Sequence, residues 1–283
     1  MSGLREEPVS LRTYIRKLRG GSQPMLVEAS DGHLYVVKFI NNPQGLNVLF
    51  NEAVGTELYS IAGLSVPAWR PLLVTGDFLS QNPACRISRV EGKACPTQGL
   101  CFGSRFLGEN GAEIFEILPG SSFLRVRKRN RFWLAWLLDT CAHHSDHREC
   151  IFLRSKEGTF GANFIDHGCM FQYQRGNQIV KEVTSRYLDC RIYNDLSSNE
   201  VRELRKAVGE LDVDLLWQKM NTLPEDWKTE SGSFCLQMCL DNLSNSKFVA
   251  DAIDRVVSVQ GRRTDDLRFP PARCHTILRF SLC

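Results

Sequence analysis

The chain has 283 residues, which is long enough for one large domain or for two lobes with sizeable cores. Hydrophobic residues make up 43% of it and charged residues 24%, an ordinary composition for a globular protein. The formal net charge of +3 is too small to indicate a nucleic-acid partner, and the longest apolar run, residues 132–138, is far too short to span a membrane.

The eleven cysteines are an odd number and include no Cys-x-x-Cys pair. Four of them, Cys141, Cys150, Cys169 and Cys190, lie in or beside apolar segments. Residues 1–20 contain no apolar signal core. We therefore expect reduced, mostly buried thiols in a cytoplasmic protein.

The N-terminal part begins with residues 10–19, whose apolar residues fall on one face of a short amphipathic piece with helical period. Alternating patterns then predict a strand over 24–29 and a second strand over 33–40, joined by a turn at 30–32. Gly20, Gly21 and Ser22 precede the first strand, where exposed backbone N–H groups could cradle a phosphate. On this signal alone, an ordinary flexible loop is the favoured interpretation.

Lys38 lies inside the second predicted strand among apolar residues, so it either faces solvent or is buried with a charge partner. Glu52 is the available partner, because it lies in the middle of an amphipathic helix predicted over 46–64. Gly63 and Pro67 indicate where that helix ends. A strand lysine paired with a helix glutamate positions the phosphates of ATP in kinase folds, although many α/β proteins contain such a pair by coincidence.

Further strands are predicted over 71–76, 85–90 and 113–118, and the glycines of 99–108 indicate a connector lying against a ligand. The basic run 125–131 could be a phosphate or nucleic-acid patch, but a solvated helix start is the favoured interpretation.

Residues 136–171 contain the most informative pattern. An apolar helix is followed by the polar loop 143–149, a strand over 150–154, a turn at 156–158 and a partner strand over 160–165. Asp146 precedes this hairpin and Asp166 follows it. Since a hairpin brings its two ends together, both carboxylates can face one space, as a phosphoryl-transfer site requires.

The remaining chain is predicted to be helical. The segment 197–211 opens with a capping box from Ser197 to Glu200, and a last helix over 247–260 ends at Gly261. A basic and then apolar tail, 262–283, follows. A β-rich first part of roughly a hundred residues thus precedes a helical second part, with the hairpin near the join.

Over about residues 20–175, this order of motifs resembles the HipA-like kinases, a bacterial family with a two-lobed fold. The resemblance is carried by Lys38, Glu52, 61-IAGLSVP-67, 101-CFGS-104, 146-DHRECIF-152 and 164-FIDHG-168. It implies an α+β protein-kinase-like fold, with a β-rich nucleotide-binding lobe over 1–106 and a mainly helical lobe over 107–283. It also implies an ATP- and Mg-dependent kinase that acts on serine or threonine hydroxyls of a protein.

The resemblance also implies a role for each matching residue. Lys38 would contact the phosphates of ATP and pair with Glu52, and Gly20, Gly21 and Ser22 would cover those phosphates. Asp146 would accept the proton of the substrate hydroxyl, and Asp166 would bind the metal. Arg148 would stabilise charge on the transferring phosphoryl group.

One position departs from the kinase pattern, because Ile151 occupies the place of the second metal-binding residue, usually asparagine. Glu149 and Asn163 are the nearest replacements. The departure leaves a pseudokinase, which binds ATP without transferring phosphate, as the main alternative.

Two further alternatives remain open. The string 143-HHSDH-147 partly matches a zinc hydrolase motif, although its first histidine would fall at Ala142. In an α+β protein without any such site, Lys38 would be exposed and Asp146 and Asp166 would be turn residues. We expect a protein substrate and no membrane or nucleic-acid partner, and an antitoxin-like partner is conceivable because some relatives have one.

Overall fold

The computed structural model describes residues 8–118, 120–171, 174–175, 178–179, 185–193 and 196–258. The end of the last predicted helix at Gly261 and the tail over 262–283 lie outside the described residues. No helix within the described ranges is long and apolar enough to cross a membrane.

The described residues contain twelve β-strands and seven α-helices. The strands are β1 Leu11–Lys17, β2 Met25–Ala29, β3 Leu34–Lys38, β4 Trp69–Val74, β5 Ile87–Arg89, β6 Gly92–Ala94, β7 Gly99–Arg105, β8 Ile114–Phe115, β9 Glu149–Arg154, β10 Phe160–Ile165, β11 Gln174–Arg175 and β12 Gln178–Ile179. The helices are α1 Val48–Ile61, α2 Gly76–Gln81, α3 Arg131–Cys141, α4 Ser198–Gly209, α5 Val213–Asn221, α6 Glu230–Ser244 and α7 Ser246–Ser258.

The N-terminal part is built on a five-stranded antiparallel sheet in the order β1-β2-β3-β7-β4. One face packs against α2 and β5 in a small core that contains Met25, Val37 and Phe78. The other face contributes Phe102 to a larger core shared with α1. The sheet ends at Arg105, one residue before the predicted boundary at 106, and the division into two domains stays a prediction.

Two sequence predictions in this sheet are wrong. Residues 10–19 do not form a piece with helical period, because Leu11–Lys17 is the edge strand β1, whose pairing with β2 contains two register shifts. Bulges of this kind disturb strict alternation and so disguise a strand. Residues 99–108 are not a connector, because Gly99–Arg105 is β7, between β3 and β4. Its Gly103 is needed there, since a Cβ at that position would lie 2.2 Å from Leu72 Cδ1.

Helix α1 lies where the sequence places it and is buried along almost its whole length, including the polar residues Asn51, Glu52 and Thr56. Gly63 follows its C-terminal end with φ +73°, a left-handed conformation that glycine adopts without strain. The position of the helix stop is therefore confirmed.

The central hairpin is confirmed as β9 and β10, and β8 adds a third strand in the order β10-β9-β8. Residues 113–118 contribute only the two-residue β8. Cys150, Phe152 and Phe164 alternate on the buried face of the hairpin, next to α3. Glu149, Ile151 and Asn163 alternate on the opposite face, because Ile151 pairs with Asn163 and Glu149 pairs with Ile165.

The C-terminal helices complete the larger core. The Ser197–Glu200 capping box at the start of α4 is present. Residues after α5 reach back to the N-terminal sheet: Trp227, 1% exposed, packs beside Trp69 and donates a hydrogen bond from Nε1 to Leu100 O at 3.2 Å. Cys141 and Cys150 are buried, as expected, whereas Cys169 and Cys190 are half-buried.

Candidate active site

Lys38 lies at the centre of the candidate site. The C-terminal end of β3 carries it into the interior, where it is 6% exposed. Its Nζ donates to Glu52 Oε1 on α1 and, at 2.6 Å, to Asp166 Oδ1 just after β10. The alternative in which Lys38 faces solvent is therefore wrong. Three residues that are up to 128 positions apart in the chain meet in one buried cluster.

The charged groups of Lys38, Glu52 and Asp166 shift one another's pKa values. Burial alone would lower the pKa of Lys38, but the carboxylates of Asp166 and Glu52 raise it above its ordinary value. Burial likewise opposes ionisation of Asp166, yet the neighbouring Lys38 lowers its pKa to about 2. One cation thus serves two carboxylates, and burial, with the neighbouring Asp166, raises the pKa of Glu52 above its ordinary value.

Asp166 is held in an unusual backbone conformation with φ +59°, which aspartate tolerates better than most residues. The segment that follows it packs on α1. His167 N–H donates to Glu52 Oε2 at 3.2 Å, and Asn51 Nδ2 donates to Gly168 O at 2.9 Å and to Met170 O at 2.8 Å. The side chain of Asp166 remains 29% exposed, so one side of its carboxylate can reach a ligand.

Asp146 is exposed, and its Oδ1 accepts a hydrogen bond from His147 N–H at 2.7 Å. The loop that carries it is tied to the Asp166 segment, because Ser145 N–H donates to Cys169 O at 3.0 Å. Burial, together with the carboxylates of Asp166 and Asp146, raises the pKa of Glu149 to about 7, although this residue reaches solvent at the start of β9. Asp146, Glu149 and Asp166 therefore share one electrostatic environment.

The loop 18–24 joins β1 to β2 at the end of the strands where β3 reaches Lys38. Met25 pairs with Val37, so this loop emerges beside the end of β3 that carries Lys38. Gly20 and Gly21 are exposed and Ser22 is buried, with its carbonyl accepting from Asn42 Nδ2 at 3.0 Å. The structure thus brings the predicted phosphate-covering loop to the Lys38 end of the sheet.

Arg148 does not lie where the resemblance implied. It is 2% exposed, and its guanidinium donates to both carboxylate oxygens of Asp139 on α3, at 2.9 and 2.6 Å, and to Ile165 O at 2.8 Å. It also lies 4.9 Å from the centre of the Tyr59 ring. A guanidinium committed to buried acceptors cannot contact a phosphoryl group in the cleft, so Arg148 is a positioning residue for the start of the Asp166 segment.

Sequence reasoning missed three residues that support the cluster, namely Asn51, Tyr59 and Asp139. Tyr59 donates from its hydroxyl to Asp139 Oδ1 at 2.7 Å, which completes a buried network with Arg148. The available signal was a carboxylate at the end of an apolar helical run, since Asp139 directly follows residues 132–138. His144 stands two residues before Asp146, where the kinase catalytic loop also carries histidine.

The described residues contain no group of three or more histidine, cysteine, aspartate or glutamate side chains arranged to hold a metal ion. The zinc hydrolase interpretation therefore finds no support in that part of the chain. A magnesium ion has a different requirement, because it needs only one or two carboxylates when phosphates supply further oxygens. Asp166 fits this role by its partly exposed carboxylate, which its lowered pKa keeps ionised.

No protein-family model and no curated protein sequence matches the chain. Solved structures do. The proinflammatory kinase CtkA of Helicobacter pylori matches with a TM-score of 0.52 at 13% identity, over 89% of this chain and 98% of its own. Hydra Fam20 with sugar matches with a TM-score of 0.55 at 11% identity, over 90% and 87%. The Golgi casein kinase with Mn/ADP bound matches with a TM-score of 0.51 at 9% identity, over 89% and 75%.

These identities are low, so the matches establish the fold alone. They cover both the N-terminal sheet and the C-terminal helices. The predicted α+β fold is confirmed: the chain has a two-lobed, protein-kinase-like architecture.

Proposed function

We propose that the chain is a phosphotransferase of the HipA-like class, which uses ATP and a divalent cation to phosphorylate serine or threonine hydroxyls of a protein. The observation that carries the proposal is the position of Lys38 between Glu52 and Asp166. A strand lysine paired with a helix glutamate, next to a metal-binding aspartate, is the arrangement on which protein kinases depend. The kinase-like neighbours, one of them with Mn/ADP bound, support the same reading.

Each residue then has a separate task. Lys38 supplies a fixed positive charge for the phosphates, and Glu52 keeps it in place. Asp166 would hold the magnesium ion, which when bound neutralises charge on the phosphates of ATP. Asp146 has one carboxylate oxygen on His147 N–H, and its other oxygen is available to orient the substrate hydroxyl and take its proton. Gly20, Gly21 and Ser22 would cover the phosphates.

The test is transfer of label from γ-labelled ATP with magnesium, using cell extract as the pool of protein substrates. We expect Asp146→Asn to lower the transfer rate by at least about a hundredfold, which is the usual size of a general-base contribution. ATP binding, measured by titration calorimetry, should stay nearly unchanged, because Asp146 does not belong to the Lys38 cluster. Lys38→Met should weaken both transfer and binding.

Asp251→Asn is the matched control, since Asp251 is an exposed carboxylate on α7. Full activity in Asp146→Asn would contradict the assignment of that residue. Absence of ATP binding in the wild-type protein would contradict the proposal as a whole.

A pseudokinase is the second candidate, and Ile151 is the observation that favours it. This side chain faces the same side of the hairpin as Asn163 and Glu149, so two oxygen-bearing residues lie next to the position that lacks one. ATP binding without transfer to any protein would identify a pseudokinase. Transfer that is lost in Glu149→Gln or in Asn163→Leu, but not in Asp251→Asn, would show that one of these residues replaces the missing ligand.

A further inference from the structure

The basic run 125–131 divides into two groups of side chains. Arg125 lies 5.4 Å from the centre of the Phe160 ring and donates to Ser122 Oγ at 3.3 Å. Arg129 donates to Ile192 O at 3.0 Å and to the carbonyl of Arg191 at 2.5 Å. Arg125 and Arg129 therefore make contacts within the fold, and their guanidinium groups bind neighbouring parts of the chain.

The other three cations of the run, Arg127, Lys128 and Arg131, line a cavity. Within the described residues their side chains form no hydrogen bond or ion pair. The cavity has a volume of about 230 Å³, and Gly63, Ser65 and Gly161 also line it. We call it the basic cavity. It lies at the start of α3, beside β10 and the loop that follows α1.

Glycines leave room for the arginines at its wall. An added Cβ at Gly161 would lie 3.4 Å from Arg127 Nη2, and one at Gly63 would lie 3.9 Å from Arg131 Nη1. The segment that carries Arg127 is fixed by its backbone N–H, which donates to Phe160 O at 2.9 Å. The guanidinium groups of Arg127 and Arg131 therefore lie beside the backbone of Gly161 and Gly63, and a larger side chain at either glycine would occupy part of the cavity.

Positive charge predominates at this site, although the exposed Glu157 lies close enough to Arg127 for their charges to interact. No residue that lines the basic cavity is acidic, and the first turn of α3 has no acidic residue. Arg131 occupies that first turn, where the positive end of the helix dipole disfavours a cation. Three cations at the positive end of a helix repel one another, and a bound anion would relieve that repulsion.

The cavity is open to solvent, since Gly63, Ser65, Arg127 and Lys128 at its wall are exposed, and its size suits a compact anion. A volume of 230 Å³ holds several waters at about 30 Å³ each, but is smaller than the roughly 300–1,000 Å³ of pockets for larger organic ligands. A phosphate group is compact, and arginine side chains bind it through two parallel N–H donors. The hydroxyl of Ser65 is a further donor at the wall.

We propose that the basic cavity binds a phosphate monoester, either as a free small molecule or as a phosphorylated side chain of a polypeptide. None of the residues that line the basic cavity belongs to the Lys38 cluster, although the cavity extends along β10 from Gly161 to Phe164, two residues before Asp166. The proposal does not depend on phosphoryl transfer by this protein.

The test is titration calorimetry of the full chain with O-phosphoserine and, separately, with a phosphoserine-containing peptide, in the absence of nucleotide. We expect the double variant with Arg127→Gln and Lys128→Asn to bind at least about tenfold more weakly, because charge-assisted hydrogen bonds are lost. Asparagine is chosen at 128 because it tolerates the left-handed backbone there, φ 54°. Gly161→Val keeps every charge but fills the wall, and should weaken binding as well.

Two controls locate the site. Lys156→Gln removes an exposed lysine in the turn of the same hairpin and should leave the affinity unchanged. Addition of ATP and magnesium should also leave it unchanged, which excludes binding at the nucleotide cluster. Equal affinities for the amino acid and the peptide would indicate a free ligand, and a tighter peptide would indicate a protein-borne phosphate. Absence of binding, or binding that survives both the double substitution and Gly161→Val, would overturn the proposal.

Discussion

Gly168 shows how closely the parts of the candidate site approach one another. An added Cβ would lie 2.8 Å from Glu52 Oε1 and 3.2 Å from Val48 Cγ1, so this position has no room for a side chain. We expect Gly168→Ala to lower the free energy of unfolding by about 1–3 kcal/mol, the usual cost of overpacking a filled interior. Urea denaturation measures the effect.

The matched control is Gly209→Ala at the end of α4, where an added Cβ would meet nothing within 4 Å. This change should leave stability the same or raise it slightly, because alanine is the better helix former. Equal losses in both variants would show that Glu52 and Gly168 are not in contact.

His144 makes stability depend on pH. Burial, together with the positive charge of Arg148, lowers the pKa of this imidazole to about 4. In the unfolded chain a histidine titrates near pH 6.5, so below that pH the unfolded state binds more protons than the folded state. The contribution of His144 is complete above about pH 6.5 and is lost as the pH falls towards its folded pKa.

Between about pH 6.5 and about pH 5, His144 alone should therefore cost about 2 kcal/mol of unfolding free energy, at 1.4 kcal/mol for each pKa unit. Urea denaturation at the two pH values measures the total difference, to which Glu149 with its raised pKa contributes in the opposite direction, so the share of His144 is obtained from a variant. His144→Leu should make the difference smaller. Replacement of the exposed His147 by glutamine should leave it as in the wild type, and an unchanged difference in His144→Leu would contradict the assignment.

At the scale of elements, buried polar groups join α1, α3 and the central hairpin around the site. Asn51 of α1 holds the backbone after Asp166, and Arg148 at the start of the hairpin binds Asp139 of α3. Both Arg148 and Asp139 are almost completely buried, so either charge would be costly without the other. The position of the metal-binding candidate thus depends on contacts between whole elements.

Arg148→Met should accordingly lower the free energy of unfolding by about 3–5 kcal/mol, because it leaves the Asp139 carboxylate buried without its partner. Asp139→Leu in the same chain should restore part of the loss, as a double-mutant cycle by urea denaturation would show.

Arg154→Met is the control for this cycle. Arg154 pairs with Glu113 at 3.1 Å, but both side chains are about half exposed, so the change should cost less than about 1 kcal/mol. A small effect of Arg148→Met together with a large loss of phosphoryl transfer would instead support direct contact with the phosphates.

Local patterns in the sequence predict long amphipathic helices, helices with a capping signal and hairpins with a tight turn. The amphipathic period of α1, the capping box of α4 and the β9–β10 hairpin each depend on residues near one another in the chain. Strands β1 and β7 were missed because their identity depends on partners: bulges disturb the pattern of β1, and the glycines of β7 admit Leu72 from β4. Glu52 was predictable as a partner of Lys38, because local patterns define both of their elements, whereas the pairing of Lys38 with Asp166 and that of Arg148 with Asp139 were not predicted.

At the scale of the whole molecule, the C-terminal helices support the N-terminal sheet. Trp227 is 1% exposed beside Trp69 of β4, and Lys219 of α5 pairs with Glu57 of α1 at 3.6 Å. Thr229, just before α6, donates to Asn47 Oδ1 at 2.8 Å. Helix α1 and the C-terminal helices therefore share the larger core, against which Trp69 of β4 also packs, and we expect these elements to unfold together.

Trp227→Ala should lower the free energy of unfolding by about 3–5 kcal/mol, the range for removing a buried tryptophan, and should also weaken ATP binding by the folded protein. Both effects can be measured, the first by urea denaturation and the second by calorimetry at low temperature. Leu243→Ala, which empties a position near α4 and α7, should destabilise the protein without changing its affinity for ATP. Equal affinities in the two variants would mean that the contact at Trp227 does not support the site.

The burial of α1 has a consequence for ligand binding. In many kinases the corresponding helix moves to bring its glutamate into place or to withdraw it. Here α1 holds the Asp166 segment through Asn51, Thr229 binds Asn47 just before the N-terminal end of the helix, and Lys219 pairs with Glu57 near its C-terminal end. Rotation of the helix would break all of these contacts together, so the withdrawn state should be scarcely populated. If nearly every molecule already has α1 in place, the apparent dissociation constant for the nucleotide equals the intrinsic one. A regulator that acts by ordering α1 would then raise the affinity for the nucleotide very little.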